Sequence, residues 1–532
     1  MNILKTRYFR LGAIILAAFV LSSMLCATAE EQPKQIVVTV DMGAEGKQIS
    51  PYIYGINLYG NENNLSKVTV HALRQGGNRM TAYNWETNAS NAGSDWKHSS
   101  DTHLSASTRP GDQALRLSGI AKNFGIAYTM TTLQLAGYVS ADTKGSVSEA
   151  ETAPSSRWLK VLPSKDGPFP ETPDLTDGAV YMDEYVHYLT QKIGGAGSET
   201  GIRAYSLDNE PALWHYTHSR VHPEPVAVSE LIEKSVATAA AVKAIDPDAE
   251  IFGPAVYGYT AYDHLADDDK SSEWETLKRQ GRYHWFLDCY LDLMRQAGEE
   301  AGMRLLDVLD IHYYSESARV SPEDRVQSVR TLYEKGFAEN SWIGQWCQVN
   351  IPILPTIRKS IDTYYPGTSL AITEYNFGGE NDLSGTIAEV EALGCFADQE
   401  VYFASLWGGG KYIFSGINLY TDYDGKGHGF GDRLLPTESE DVSLVSGYAA
   451  IFGNDHTSLT VTLTNKSFTD PVTVVLKPEN TETVWKDAQV WAVYGDTPSI
   501  RKIDGATEIR EDRIFVTLPP LCAATVTLTG ED

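Results

Sequence analysis

The chain has 532 residues, with 70 Asp plus Glu against 43 Lys plus Arg and a formal charge of −27. That charge repels phosphate backbones and anionic bilayers, so nucleic acid and a membrane surface are excluded as expected partners. Aromatic residues at 10%, including 29 Tyr and 11 Trp, are too many for a disordered chain, and the length suits two domains.

Residues 1–29 read as a secretory signal. Lys5, Arg7 and Arg10 precede the short apolar run Leu11 to Leu21, and Ala27-Thr28-Ala29 offers small residues for cleavage. The run falls short of the ~20 residues a membrane anchor needs. The mature protein is therefore expected to be secreted, extracellular or periplasmic. Residues 30–50 hold the alternating run Gln35–Val40, expected to join a β-sandwich formed by 436–532.

From 51 to 435, apolar strand-like runs alternate with helical stretches. The strand candidates are 52–56, a run before Gly76, 127–131, 204–207, 250–253, 308–311, 370–373 and 404–407. Helical periodicity marks 230–244 and 285–301. Eight strand–helix repeats predict a (β/α)8 TIM barrel of the α/β class. After about 445 the pattern changes to period two. Ser458–Thr464, Pro471–Leu476 and Ala523–Leu528 are Thr/Val-rich, and turn residues separate them, as in a smaller antiparallel β-sandwich. Cys289, Cys347, Cys395 and Cys522 match no zinc spacing and are too few for a disulfide framework, so they read as buried small hydrophobes.

Two strand ends carry the chemistry. Tyr205-Ser206-Leu207 runs into Asp208-Asn209-Glu210-Pro211, where proline stops the strand. Leu370-Ala371-Ile372-Thr373 runs into Glu374-Tyr375-Asn376 and then Gly378-Gly379. In a barrel the C-terminal strand ends face the active-site mouth, so Glu210 on strand four and Glu374 on strand seven can converge. Two facing carboxylates suit glycosidic cleavage, one as a protonated acid and the other as nucleophile or electrostatic stabiliser. No nucleophile elbow or phosphate-cradling loop is present. The grouping of His215, His218 and His222 lacks a zinc pattern and reads as a solvated loop. Asp422-Tyr423-Asp424-Gly425 reads as a tight turn rather than a calcium loop.

Five strings resemble glycoside hydrolase family 44: Asp-Asn-Glu-Pro-Ala-Leu-Trp (208–214), Gly-Gly-Asn-Arg-Met-Thr-Ala-Tyr-Asn-Trp-Glu (76–86), Ile-Thr-Glu-Tyr-Asn-Phe-Gly-Gly (372–379), Leu-Asp-Val-Leu-Asp-Ile-His-Tyr-Tyr (306–314) and Tyr-Asp-Gly-Lys-Gly (423–427). The likeness spans about 35 to 525. It implies a retaining endo-β-1,4-glucanase or xyloglucanase, with Glu210 as acid/base, Glu374 as nucleophile and Asn209 on the sugar 2-hydroxyl. Tyr314, after strand six, is placed to hold Glu374 ionised, and Arg79 is expected to act on it electrostatically. Trp85, Trp214, Trp342, Trp346 and Trp407 are candidate sugar platforms, with Trp342 and Trp346 spaced to share a helix face. Catalysis needs no cofactor. A structural calcium, implied by the resemblance, is expected on the acidic loop of Asp174, Asp177 and Asp183 with Glu86. A monomer is expected, and the preferred glucan is left open. The alternatives are a non-catalytic glycan-binding protein, or β-mannanase or xylanase specificity on the same scaffold.

Overall fold

The computed structural model describes residues 33–531 apart from 61 and 267–271; the expected signal segment lies outside these residues. Eight parallel strands close a barrel: Gly55–Asn57, Ala72–Gln75, Tyr128–Leu133, Ala204–Leu207, Glu250–Val256, Val308–Tyr314, Ser369–Asn376 and Phe403–Leu406. They are numbered one to eight below. All are buried on both sides, inside by barrel packing and outside by helices, which is why they read as apolar runs rather than as alternations. The helices Val228–Ile245 and Phe286–Ala301 match the periodic stretches of the sequence. Among the described residues no helix is long and apolar enough to cross a membrane.

Two sheets pack face to face beside the barrel. One orders Thr437–Ser439, Lys34–Asp41, Val472–Glu479, Arg513–Leu518 and Thr507–Arg510; the other has seven strands, from Lys47–Gln48 through Arg433–Leu435 to Arg501–Lys502. Their inner faces form a separate apolar core, with Val38, Val461, Val474, Val516 and Val526 among its buried residues. The sandwich departs from the expected antiparallel pattern at one pair. Lys34–Asp41 runs parallel to Val472–Glu479. A parallel pair needs a long connection rather than a hairpin, and here the whole barrel is that connection.

The barrel interior is layered. Ala72, Met130, Ala204, Phe252, Val308, Ala371 and Phe403 fill the lower part with Tyr128. Two residues further along the same strands, the inward positions turn polar: Arg74, Ser206 and Asp310. Strand seven carries a bulge. Ile311 pairs with Ile372 but His312 pairs with Glu374, so Thr373 is the extra residue. Thr373 donates inward to Asp310 (2.6 Å), Glu374 meets Arg74, and Tyr375 donates outward to Glu389 (2.7 Å). Regular alternation would have put Glu374 opposite to Thr373. The bulge aims it into the barrel, the re-aiming such irregularities perform beside active sites.

Candidate active site

Strand four ends at Leu207, and the next three residues leave the strand in a turn. Asp208 (φ 66°) and Glu210 (φ 48°) both occupy the left-handed region, a conformation costing about 1–3 kcal/mol each for non-glycine residues. The buried Asp208 carboxylate anchors the turn. It accepts from the Thr81 hydroxyl (2.6 Å) and from the N–H groups of Leu135 (2.6 Å), Ala136 (3.0 Å) and Asn209 (2.7 Å). Burial pushes its carboxyl up to about 6 despite these donors. The Glu210 N–H donates to the Ala255 carbonyl at 3.0 Å. The turn thereby delivers Asn209 and Glu210 to the mouth.

Glu374 faces them. Arg74 Nη1 donates to its Oε1 at 2.8 Å and the Tyr314 hydroxyl donates to its Oε2 at 2.7 Å. The same guanidinium reaches Asn57 Oδ1 (2.8 Å) and Asn209 Oδ1 (2.9 Å), so one fully buried arginine orients residues on strands one and seven and in the turn after strand four. The His312 ring lies between the two acids, with Nδ1 2.8 Å from Glu210 Oε1 and 3.6 Å from Glu374 Oε2. One ligand-type atom from each of Glu210, His312 and Glu374 lies within 4.8 Å of the others.

Their protonation is pushed apart. Burial raises the Glu210 carboxyl and the Glu374 charge adds to this, outweighing the His312 hydrogen bond. For Glu374 burial is likewise the largest influence and acts upward. The opposing charges of His312 and Arg74, with hydrogen bonds from Tyr314 and Arg74, nevertheless bring it below the usual carboxylate range. The surroundings thus favour the protonated form of Glu210 and the ionised form of Glu374, the direction of difference that acid-plus-nucleophile chemistry requires. The trio has the spacing of a metal site, but a guanidinium 2.8 Å from Glu374 supplies the positive charge there and opposes a second cation.

Several expectations are corrected. Arg79 does not reach Glu374: it pairs with Asp101 (2.6 Å) and donates to Ser90 (3.3 Å). Arg74, inside strand two, takes the position expected for it. The sequence signal was an arginine in the buried run Ala72-Leu73-Arg74-Gln75, and similarly a histidine between Ile311 and Tyr313. Trp85 and Trp214 are core residues. Trp85 stacks on Tyr185 (5.1 Å, 12°) and donates to the Tyr181 carbonyl, while Trp214 is fully buried beneath Lys234 and beside His222. Trp342 and Trp346 sit four apart on one short helix, as expected, but their surroundings differ. Their helix spans only Trp342–Trp346; Trp342 packs edge-on against Tyr259 (5.8 Å, 80°), whereas Trp346 is 76% exposed. Trp407 lies at the mouth, 5.7 Å from Tyr59 and so close over Gly77 that a methyl group there would strike its ring. The Gly77 N–H in turn donates to Asn209 Oδ1 at 3.1 Å. His218 is buried rather than solvated, and burial pushes it down to about 4. Cys289, Cys347, Cys395 and Cys522 are free, and all but Cys347 are buried.

The acidic loop is assembled around an ammonium. Lys165 Nζ lies 3.0 Å from Asp177 and 2.9 Å from Glu184. Asp174 accepts from the Thr176 hydroxyl (2.7 Å), and Asp183 from the Lys165 N–H (3.0 Å). Glu86 is buried beside them with neither carboxylate oxygen partnered. Burial, then the charges of Asp177 and Glu184, push it up to about 8.

With this geometry in hand, the likeness to known proteins is informative. The profile described as glycoside hydrolase family 44 matches residues 89–317. Endoglucanase A of Paenibacillus lautus is 40% identical over 557 residues, covering 99% of this chain and 78% of that protein. The chain belongs to glycoside hydrolase family 44. It is also similar to the solved family 44 xyloglucanase of Paenibacillus polymyxa, with 41% identity, TM-score 0.87, and coverage of 93% of this chain and all of that one. The family 44 endoglucanase structure from Clostridium thermocellum gives 44% identity, TM-score 0.87 and the same coverage. As a family 44 glycoside hydrolase, the protein has the carboxylate pair of its barrel mouth at the position where such chemistry is expected.

Proposed function

We propose that this glycoside hydrolase is an endo-acting β-1,4-glucanase that accepts xyloglucan and works with retention. Glu210 is the acid/base and Glu374 the nucleophile. The observation that carries this reading is a carboxylate pair, Glu210 half-buried and Glu374 buried, with oxygens within 4.8 Å and protonation pushed in opposite directions. Retaining enzymes hold their carboxyls at about 5–5.5 Å, whereas inverting enzymes need roughly 6.5–9.5 Å to admit water.

In the first step Glu210 gives its proton to the glycosidic oxygen while a Glu374 oxygen bonds to the anomeric carbon. In the second, Glu210 takes a proton from water, and that water displaces Glu374. His312 holds one Glu210 oxygen and leaves the other for the leaving group. Arg74 and the Gly77 N–H fix the Asn209 carbonyl, so its amide N–H is directed to the sugar 2-hydroxyl. Trp407 offers a stacking face at the cleavage point, and the exposed Trp346 offers one further along the rim. The names of the similar enzymes, endoglucanase and xyloglucanase, agree with this choice of polymer.

Reducing-sugar release from carboxymethyl cellulose and xyloglucan, with mannan and xylan as comparators, tests the substrate. A proton NMR time course tests the stereochemistry. Initial release of the β-anomer is expected; the α-anomer, or no hydrolysis of either glucan, overturns the reading. Export directed by residues 1–29 belongs to the same proposal.

A structural calcium on the acidic loop is also proposed. The orphaned, buried Glu86 suits a hard oxygen-loving cation, which Glu86, Asp177 and Glu184 would hold in competition with Lys165. A rise in thermal midpoint on adding calcium to chelator-treated protein is expected, and an unchanged midpoint overturns it.

A further inference from the structure

The turn Asp422–Gly427 has no part in the catalytic mouth, yet it closes one end of a groove between barrel and sandwich. This cavity, about 450 Å3, lies within the 300–1,000 Å3 range of ligand pockets. One wall is the helix Lys411–Thr421 that follows strand eight. Lys411, Ser415, Asn418 and Asp422 recur along it at intervals of three or four, which places them on a single face. The other wall belongs to the sandwich: Trp491 on Val484–Val493 and the segment 498–500. The Ser415 hydroxyl donates to the Pro498 carbonyl and ties the walls together.

Two half-buried aromatic rings line the groove. Tyr423 and Trp491 lie 6.3 Å apart at 44°, and His428 stacks behind Tyr423 at 6.4 Å. Some of the polar groups around them are already engaged. Asn418 uses its amide on the Thr69 N–H and the Lys67 carbonyl. Others are available. Lys67 and Lys411 are exposed and form no ion pair among the described residues, and Asp422 commits only one oxygen, to the Gly427 N–H. Two ammoniums against Asp422 and Asp424 leave no net preference for an ion. Aromatic faces for C–H surfaces, ringed by groups that hydrogen-bond hydroxyls, match a neutral sugar.

We propose that this groove is a second carbohydrate-binding site, distinct from the catalytic mouth, that holds a short stretch of the enzyme's neutral polysaccharide substrate. The identity of the sugar rests on the functional reading above. Binding one chain at two places raises the effective concentration of its bonds near Glu210 and Glu374 without new contacts in the mouth.

The test is stoichiometry. Glu210→Gln protein, which keeps its substrate intact, is titrated calorimetrically with cellotetraose and with a xyloglucan heptasaccharide. Two sites per chain are expected, and one site after adding Trp491→Ala. Ser499→Arg, which fills the groove from its exposed rim without removing a packed ring, should also leave one site. An unchanged thermal midpoint in either variant confirms that the fold is retained. A single site in the parent, or two sites persisting in both folded variants, overturns the proposal. Failure of the wild-type enzyme to hydrolyse any glucan would sink the functional reading instead, and the titration reports independently of that outcome.

Discussion

The floor and the mouth of the barrel are built from the same eight strands, yet they do opposite things with burial. At the floor Tyr128, Phe252 and Phe403 pack ring against ring, at 5.2 Å and 5.6 Å. The nearby acid, Glu250, accepts from the Tyr402 and Tyr128 hydroxyls at the rim. Higher in the barrel, Arg74 and Asp310, two residues beyond the floor positions Ala72 and Val308, and His312, two further still, are fully buried, where unpaired charges would cost several kcal/mol each. They persist because almost every one is answered: Arg74 by Glu374, Asn57 and Asn209, Asp310 by Thr373, His312 by Glu210. Floor burial stabilises the fold through apolar area. Mouth burial fixes charge and protonation, and it is tolerated because the floor, the helices and the sandwich supply the stability.

That contrast can be broken by substitution. Glu374→Ala is expected to have the largest effect, lowering kcat on xyloglucan by on the order of 10^4-fold or more, the scale of removing a nucleophile that acts as part of a unit. Near-wild-type turnover would remove Glu374 from that role. Glu210→Gln should lower polysaccharide turnover by about 10^2–10^4-fold, the usual weight of general acid catalysis. It should spare aryl glycosides whose leaving groups need no proton, and equal losses on both substrates would count against the assignment.

Arg74→Met sharpens the electrostatic side. Removing one partner of a buried pair costs about 3–5 kcal/mol, so the thermal midpoint should fall. Because Arg74 helps to hold Glu374 below its ordinary range, its loss raises that carboxyl. Activity needs Glu374 ionised, so the acidic limb of the pH–rate profile should move to higher pH. An unmoved limb would show that His312 and Tyr314 suffice. In the wild type the alkaline limb should follow Glu210, whose raised carboxyl must stay protonated, with activity lost as pH rises through it. The smallest effect on catalysis is expected at the floor. Phe403→Ala should cost about 3–5 kcal/mol of stability while leaving kcat per folded molecule within about twofold; a large loss of kcat would mean that floor and mouth are not separable.

Much of this was legible in the chain. Eight apolar runs and the period-two tail are local patterns, and the strand ends at Glu210 and Glu374 were marked by apolar residues giving way abruptly to polar ones. Tyr314 was found because it ends a strand that faces the same mouth. Arg79 misled, and the reason is geometric. Arg74 and Arg79 are five residues apart at the same barrel corner, and only the inward pointing of strand two beneath Glu374 selects Arg74. Trp85 and Trp214 misled in a similar way. A tryptophan in a loop reads as a platform, but whether another layer covers it depends on segments far away, such as Tyr185 over Trp85.

The sequence by itself determined the barrel, the sandwich with its N-terminal strand, and which two glutamates end the decisive strands, because these follow from periodicity and from residue type at a strand terminus. Only the tertiary structure decided that the Thr373 bulge turns Glu374 inward, that left-handed residues at 208 and 210 deliver Glu210, and that burial beside the Glu374 charge pushes Glu210 up while His312, Arg74 and Tyr314 bring Glu374 down. Side-chain direction and electrostatic environment are properties of neighbours brought together across hundreds of residues, and no local pattern encodes them.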